Sequence, residues 1–243
     1  MKEDERLFRL IKEAGSRYRH PVISARFEKF KDFKVTWNRT GKERSYKVSD
    51  YMSDSPDAAL YEFLDTLISR NSGNKKGYGP EYLDWVSSDG FVLSKRPVYL
   101  ERSRNITMST TGTRRDIGES LDRLLGWGLL VDTDIDNSFF TWTAMPGFTK
   151  VGSCNAMFRV VTVSSSLDSD DVPERVLDFV TYHESLHLRR GYRPGRRAHD
   201  LAFRESERAF PGWEECEKYL LKMRREQREK MKRRGQSPVP AGV

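Results

Sequence analysis

Apolar positions recur along the chain in blocks that predict alternating helices and strands. Residues 5 to 32 read as mainly helical, with Leu7, Leu10 and Ile11 on one face and a break near Gly15 or Pro21. Phe33 to Asn38 alternates like a strand, Arg39-Thr40-Gly41-Lys42 is a turn, and Arg44 to Val48 returns as the hairpin partner. Asp54-Ser55-Pro56-Asp57 opens a helix to about Arg70 with Leu60, Phe63, Leu64 and Leu67 as its buried stripe. A loop over Asn71 to Gly77 and a short helix from Pro80 to Val86 follow.

A similar cycle comes next. Arg115 to Leu125 predicts a helix stopped by Gly126-Trp127-Gly128; Ser138 to Thr143 and Met157 to Val163 predict strands. Asp171-Val172-Pro173-Glu174 then starts a helix with Leu177, Val180, Leu186 and Leu188 as its apolar surface, and Gly191, Pro194 and Gly195 stop it. Val35-Thr36-Trp37 matches Phe140-Thr141-Trp142, and Ser53 to Phe63 matches Ser169 to Phe179. The expectation is an α+β fold with a strand, hairpin and helix unit in two tandem copies. The segment Thr110 to Leu130 also carries the leucine pattern and glycine stop of a winged helix, but it abuts the next strand with almost no linker.

The second cycle carries the chemistry. Its helix contains His183-Glu184-Ser185-Leu186-His187, and positions four apart share one helix face. His183 and His187 can therefore aim at one Zn2+ ion while Glu184 stands beside it as the base of a metallopeptidase. The chain has only four histidines, and His199 joins these two within seventeen residues. A catalytic zinc needs three protein ligands and one open position, and this cluster offers three. In the register of the repeat, Leu67 and Asn71 stand where His183 and His187 stand, so the first copy is expected to be degenerate and metal-free.

Composition narrows the class. In 243 residues, 33% are charged and 37% hydrophobic, and no apolar run or signal-peptide core marks a membrane or export segment, so cytoplasmic is the default expectation. Cys154 and Cys216 are too few for a disulfide framework and read as ordinary thiols. The net charge is +7 and the pI about 9.3. Lys222 to Arg234 holds eight basic residues against two acidic ones. Arg224, Arg225, Arg228, Lys230, Lys232, Arg233 and Arg234 are candidates for nucleic-acid phosphate contacts, as an alternative to a solvated helix end. Gln236 to Val243 is expected to be a disordered end.

Trp142, the strand Val160 to Ser164, the acidic turn Ser169 to Pro173, the H-E-x-x-H helix, His199-Asp200-Leu201-Ala202-Phe203 and Phe210-Pro211-Gly212-Trp213 together resemble the SprT-like and YgjP-like metallopeptidases and the minigluzincins. The resemblance covers residues 115 to 222. It implies a short mixed β-sheet packed on an active-site zinc helix, His199 as third ligand, and Phe203 packing the helix that follows it. Glu207 lies twenty residues after His187, where gluzincin peptidases place a glutamate ligand, so it is the alternative third ligand. The domains expected are 1–88 as the degenerate copy, 89–114 as a connecting segment, 115–222 as the peptidase and 223–243 as a basic tail. Tyr192 is a candidate donor to the transition state. The partners implied are a protein or peptide substrate and, because the SprT-like group includes proteases acting on protein crosslinked to DNA, DNA through the basic tail. The competing expectation is a non-catalytic, zinc-containing nucleic-acid-binding protein.

Overall fold

The structure, a computed structural model, describes residues 2–233, apart from the side chain of Met231. Arg234 and the segment Gln236 to Val243 lie outside the described residues. The chain divides into two compact units, Met1–Ser103 and Arg104–Val243. Each holds helices and a three-stranded mixed sheet, so the class is α+β. Among the described residues no helix is long and apolar enough to cross a membrane.

The first unit opens with α1 (Lys2–Arg17), which buries Leu7, Leu10, Ile11 and Ala14. The helix does not continue to residue 32 as its pattern suggested. Gly15 lets the chain double back: the His20 N–H donates to the Gly15 carbonyl at 2.9 Å, and a Cβ at Gly15 would stand 2.5 Å from the His20 carbonyl oxygen. The next residues form β1 (Val22–Glu28), whose partner in the sheet lies about twenty residues further on. Local periodicity is blind to such pairing.

Strands β2 (Val35–Thr40) and β3 (Glu43–Ser49) form the expected hairpin, turned at Gly41 with φ 62°. The sheet order is β1-β3-β2, with β1 parallel and β2 antiparallel to β3. A 3-10 turn (Asp50–Met52) leads to α2 (Asp57–Asn71). Its buried stripe is Leu60, Phe63, Leu64 and Ile68 rather than Leu67, which is half-buried. Helices α3 (Pro80–Ser87) and α4 (Asp89–Glu101) complete the unit. Helix α4 occupies the stretch expected as a connecting segment; Pro97 inside it breaks the sequence signal, while the Ser88 hydroxyl caps its start by accepting from the Phe91 N–H.

The second unit contains α5 (Ile117–Gly126), α6 (Asp132–Ile135), β4 (Phe139–Trp142), β5 (Gly152–Asn155), β6 (Val160–Val163), a 3-10 turn (Ser165–Leu167), α7 (Glu174–Arg190), α8 (Leu201–Arg208) and α9 (Trp213–Arg233). Its sheet order is β4-β6-β5, with β4 parallel and β5 antiparallel to β6. Residues 223–233, expected as a tail, are the last turns of α9.

Helix, three strands, 3-10 turn and helix thus follow one another in both units, and each sheet has the order first, third, second. Phe27 pairs with Val48 as Trp142 pairs with Val163. The buried residues Ser49 and Ser164 each precede the 3-10 turn and each donate a backbone N–H across the sheet, to Lys34 at 3.1 Å and to Val151 at 2.8 Å. The sequence match of Val35-Thr36-Trp37 with Phe140-Thr141-Trp142 is corrected by this order. The former lies on the second strand of its sheet and the latter on the first strand of the other.

Helix α7 is the core of the second unit. Between Val176 and Leu188 every residue is buried except His183 and His187. It packs against α5, α6, α8, α9 and the strands β5 and β6. Burying Val176, Leu177, Phe179, Val180, Leu186 and Leu188 at about 1.5–3 kcal/mol each outweighs the polar residues the helix also takes inside. Among them, Asp178 is gripped by Arg123 of α5 at 2.7 and 3.0 Å and the Ser185 hydroxyl donates to the Thr181 carbonyl at 2.8 Å, while exposed Arg189 at the helix's end grips Asp134 of α6 at 2.7 and 2.8 Å.

Candidate metal centre and active site

His183 and His187 are the two points where α7 reaches a cleft. His199 comes to them from the loop before α8, held there by the next residue. Asp200 caps α8 by accepting from the Phe203 N–H at 3.0 Å and pairs with Arg190 at the end of α7 at 2.6 Å. Arg190 first, then that N–H, holds the Asp200 carboxyl down at about 2.

The three imidazoles converge. His199 Nε2 lies 3.2 Å from His183 Nε2 and 3.1 Å from His187 Nε2. Tetrahedral ligands at 2.0–2.1 Å from zinc stand about 3.3–3.4 Å apart, so these nitrogens are spaced as ligands of one ion. Among the described residues they form the metal-capable cluster, and Cys154 and Cys216 lie outside it as free thiols. No known family model, curated protein or solved structure matches this chain. The chemistry therefore rests on the residues themselves.

Phe203, 1% exposed, lies against all three rings, with centroids 5.1, 4.6 and 4.7 Å from those of His183, His187 and His199. Glu207 stands behind the cluster, its Oε1 2.5 Å from His183 Nδ1. Burial opposes the charge on Glu207, but His183 outweighs it and holds the carboxyl below its usual range. As a carboxylate it can only accept, so Nδ1 carries the proton, and in the neutral ring the Nε2 lone pair faces the other two histidines; burial opposes charge on His183, but Glu207 and Glu184 raise its pKa. A carboxylate in this position is the kind of outer partner that fixes the tautomer of metal-binding histidines in general. Burial, then His183 and His199, lowers His187 to about 4, and burial also lowers His199, so both offer free lone pairs at neutral pH.

Glu184 is 6% exposed, and burial pushes its carboxyl up to about 7. It lies under β5: a Cβ on Gly152 would stand 2.5 Å from Glu184 Oε1. Burial, then Glu184, pushes the neighbouring Cys154 thiol up, so it stays protonated at neutral pH. The three histidines and Glu184 line a cleft of about 480 Å³.

The remaining expected residues lie elsewhere. Tyr192 follows Gly191 in the loop after α7 and does not line that cleft. Arg224, half-buried, borders a second hollow beside Glu184, while Arg225, Arg228, Lys230, Lys232 and Arg233 are exposed along the end of α9. Sequence reasoning missed β5 and Gly152, since Gly152-Ser153-Cys154-Asn155 has little strand propensity. It also missed the Arg190–Asp200 brace, for which Asp200 two residues before Ala202-Phe203 was a readable cap signal.

Proposed function

We propose that this chain is a zinc-dependent metallopeptidase resembling the SprT-like and YgjP-like enzymes. The observation that carries the reading is a buried carboxylate, Glu184, next to three imidazole nitrogens spaced as zinc ligands and open to a cleft. A structural zinc is held by four protein ligands, and it has no use for Glu184. His183, His187 and His199 would hold the ion, with Glu207 supporting His183 from behind. Zn2+ supplies Lewis acidity there, lowering the pKa of a water toward about 7 and polarising a carbonyl.

The protein groups do the rest. Glu184 takes a proton from the attacking water and passes it to the leaving amine; a carboxyl raised by burial is suited to both transfers. Strand β5 orients the substrate. Because Ser164 N–H bonds the Val151 carbonyl, the alternation of an antiparallel pair turns the N–H and C=O groups of Gly152 and Cys154 away from β6, where an extended peptide can pair with them.

The resemblance extends the proposal to proteins held on DNA, contacted by Arg225, Arg228, Lys230, Lys232 and Arg233. The first unit we read as a metal-free copy of the second, a reading supported by the shared element order, sheet order and serine-to-strand bond. The test of the peptidase reading is Glu184→Gln. We expect one zinc per chain to be retained and turnover to fall by about 10²–10⁴-fold. A variant that cleaves at the wild-type rate refutes the mechanism. A wild-type protein that binds no zinc leaves the non-catalytic nucleic-acid-binding alternative.

A further inference from the structure

Two hollows meet at Glu184, and they differ in charge. The first, of about 480 Å³, runs past the three histidines and is walled by Lys150, Arg190, Arg193, Arg196 and Arg197; Glu184 is the sole carboxylate in its lining. Arg190 is neutralised by Asp200. Lys150, Arg193, Arg196 and Arg197 make no ion pair among the described residues, and all four are exposed. Four unpaired cations around one cleft leave a positive potential that an anionic group would relieve. The second hollow, of about 340 Å³, has a wall of Val151, Phe179, Val180, Leu220 and Leu221, and its rim sets Glu207 and Glu217 against Arg224 and Lys150, the last shared with the first cleft. With those charges offset, its apolar wall is what selects, and it accepts an apolar side chain.

Strand β5 runs between them. Thr149 to Gly152 border the apolar hollow, and Gly152 to Cys154 with Ala156 border the basic one. A peptide lying antiparallel to β5 therefore sends its N-terminal side into the basic cleft and its C-terminal side into the apolar hollow. Antiparallel pairing is the slightly more stable arrangement per residue.

We propose that the basic cleft is a binding site for acidic side chains, and that the enzyme selects polypeptides with Asp or Glu ahead of the scissile bond and an apolar residue after it. The proposal rests on the peptidase reading and names the substrate class of that same site. It predicts that acidic segments are cleaved and basic ones spared, since a basic segment would meet four like charges.

The test has a cleavage arm and a binding arm. In the first, zinc-loaded full-length protein is given a mixed peptide library and the products are sequenced by mass spectrometry; Asp and Glu should be enriched on the N-terminal side of the cut. In the second, Glu184→Gln protein is titrated with a fluorescent peptide carrying Glu at two positions ahead of a leucine, and with its twin carrying Gln. Two exposed charge pairs at about 2- to 5-fold each give a preference of roughly 4- to 25-fold for the acidic peptide, and Arg196→Glu/Arg197→Glu should abolish or invert it. If that pair folds poorly, Arg196→Gln/Arg197→Gln should lower the preference instead. Equal binding of the twins, a preference untouched by charge reversal, or acidic residues enriched after the cut would overturn the proposal. So would a short single-stranded oligonucleotide that displaces the peptide more strongly than the peptide binds, for the cleft would then be a phosphate site. Cleavage without acidic preference sinks this proposal and leaves the peptidase reading standing. Acid-selective binding with no cleavage by the wild type does the reverse.

Discussion

Replacing Gly152 by Ala puts one methyl group at the point where β5 crosses Glu184. That methyl carbon would stand 2.5 Å from Glu184 Oε1, 2.9 Å from its Cγ and 2.9 Å from Val180 Cγ1. Unstrained contacts lie near 3.5 Å, so the carboxylate must retreat by about 1 Å or the strand must lift. Overpacking of this kind costs about 1–3 kcal/mol, offset by about 0.4–1 kcal/mol from the stiffer unfolded chain. Stability should therefore fall by no more than about 2.5 kcal/mol, too little to unfold the domain. Turnover is far more sensitive, because a misplacement of about 1 Å costs roughly 10²-fold. The assay is kcat on a peptide substrate beside zinc content and a urea melt of the same samples. We expect Gly152→Ala to keep its zinc and its cooperative transition while kcat falls by about 10²-fold. Wild-type kcat in a folded, zinc-loaded variant would show that Glu184 does not act from beneath β5.

Three further outcomes follow from the site and its supports. Glu207→Gln should weaken zinc about 10- to 100-fold yet keep one ion per chain at saturation, whereas His199→Ala should lose it; equal losses in a zinc titration would put both groups on the metal. Asp168, opposed by burial but accepting N–H bonds from Thr113, Arg114 and Arg115 at 2.6, 2.7 and 2.9 Å, has its carboxyl held below the usual range. A depressed carboxyl stabilises the fold above the unfolded value of about 3.9 and loses that contribution as pH falls through the lower folded value. Asp168→Asn should thus cost about 2 kcal/mol at pH near 7 and progressively less as the pH falls below the unfolded value of about 3.9, read as the gap between two urea melts. Chelation should lower the melting temperature but leave a cooperative transition, since the apolar cluster around Leu177, Phe179 and Leu186 does not need the metal; a chelated protein with no transition contradicts this.

What the sequence disclosed was local. The helix from Glu174 to Arg190 has a proline before its first turn and a glycine after its last, and its two histidines are fixed to one face by the helical repeat alone. His199 could be suspected because histidine is rare in this chain, and Asp200 then places it by capping α8. What stayed hidden depends on distant partners. β1 is a strand because β3 lies beside it, β5 is a strand because β6 lies beside it, and Gly152 matters because Glu184 sits beneath it. Glu207 could be placed near the site by spacing, but only the three-dimensional course of α8 puts it on Nδ1 of His183. Spacing along a chain does not distinguish a ligand from the residue that orients a ligand.

The comparison of the two units separates the scaffold from its chemistry. Both carry a central helix after a 3-10 turn, and in both a buried serine ties that turn to the strand at the sheet's edge. In the first unit the corresponding helix has Leu67 and Asn71 at half-buried positions, and Asn71 donates to the Tyr46 hydroxyl at 3.3 Å. Tyr46 in turn meets His20 Nε2 at 2.6 Å. Polar side chains there satisfy one another, as a buried polar group must. In the second unit the three Nε2 atoms converge, and both contacts fall on the single Nε2 of His199. The polar groups around Asn71 are thus closed on one another in the first unit, while the convergent nitrogens of the second are arranged to suit an electrophile. That difference supports the proposal that the second unit holds a cation.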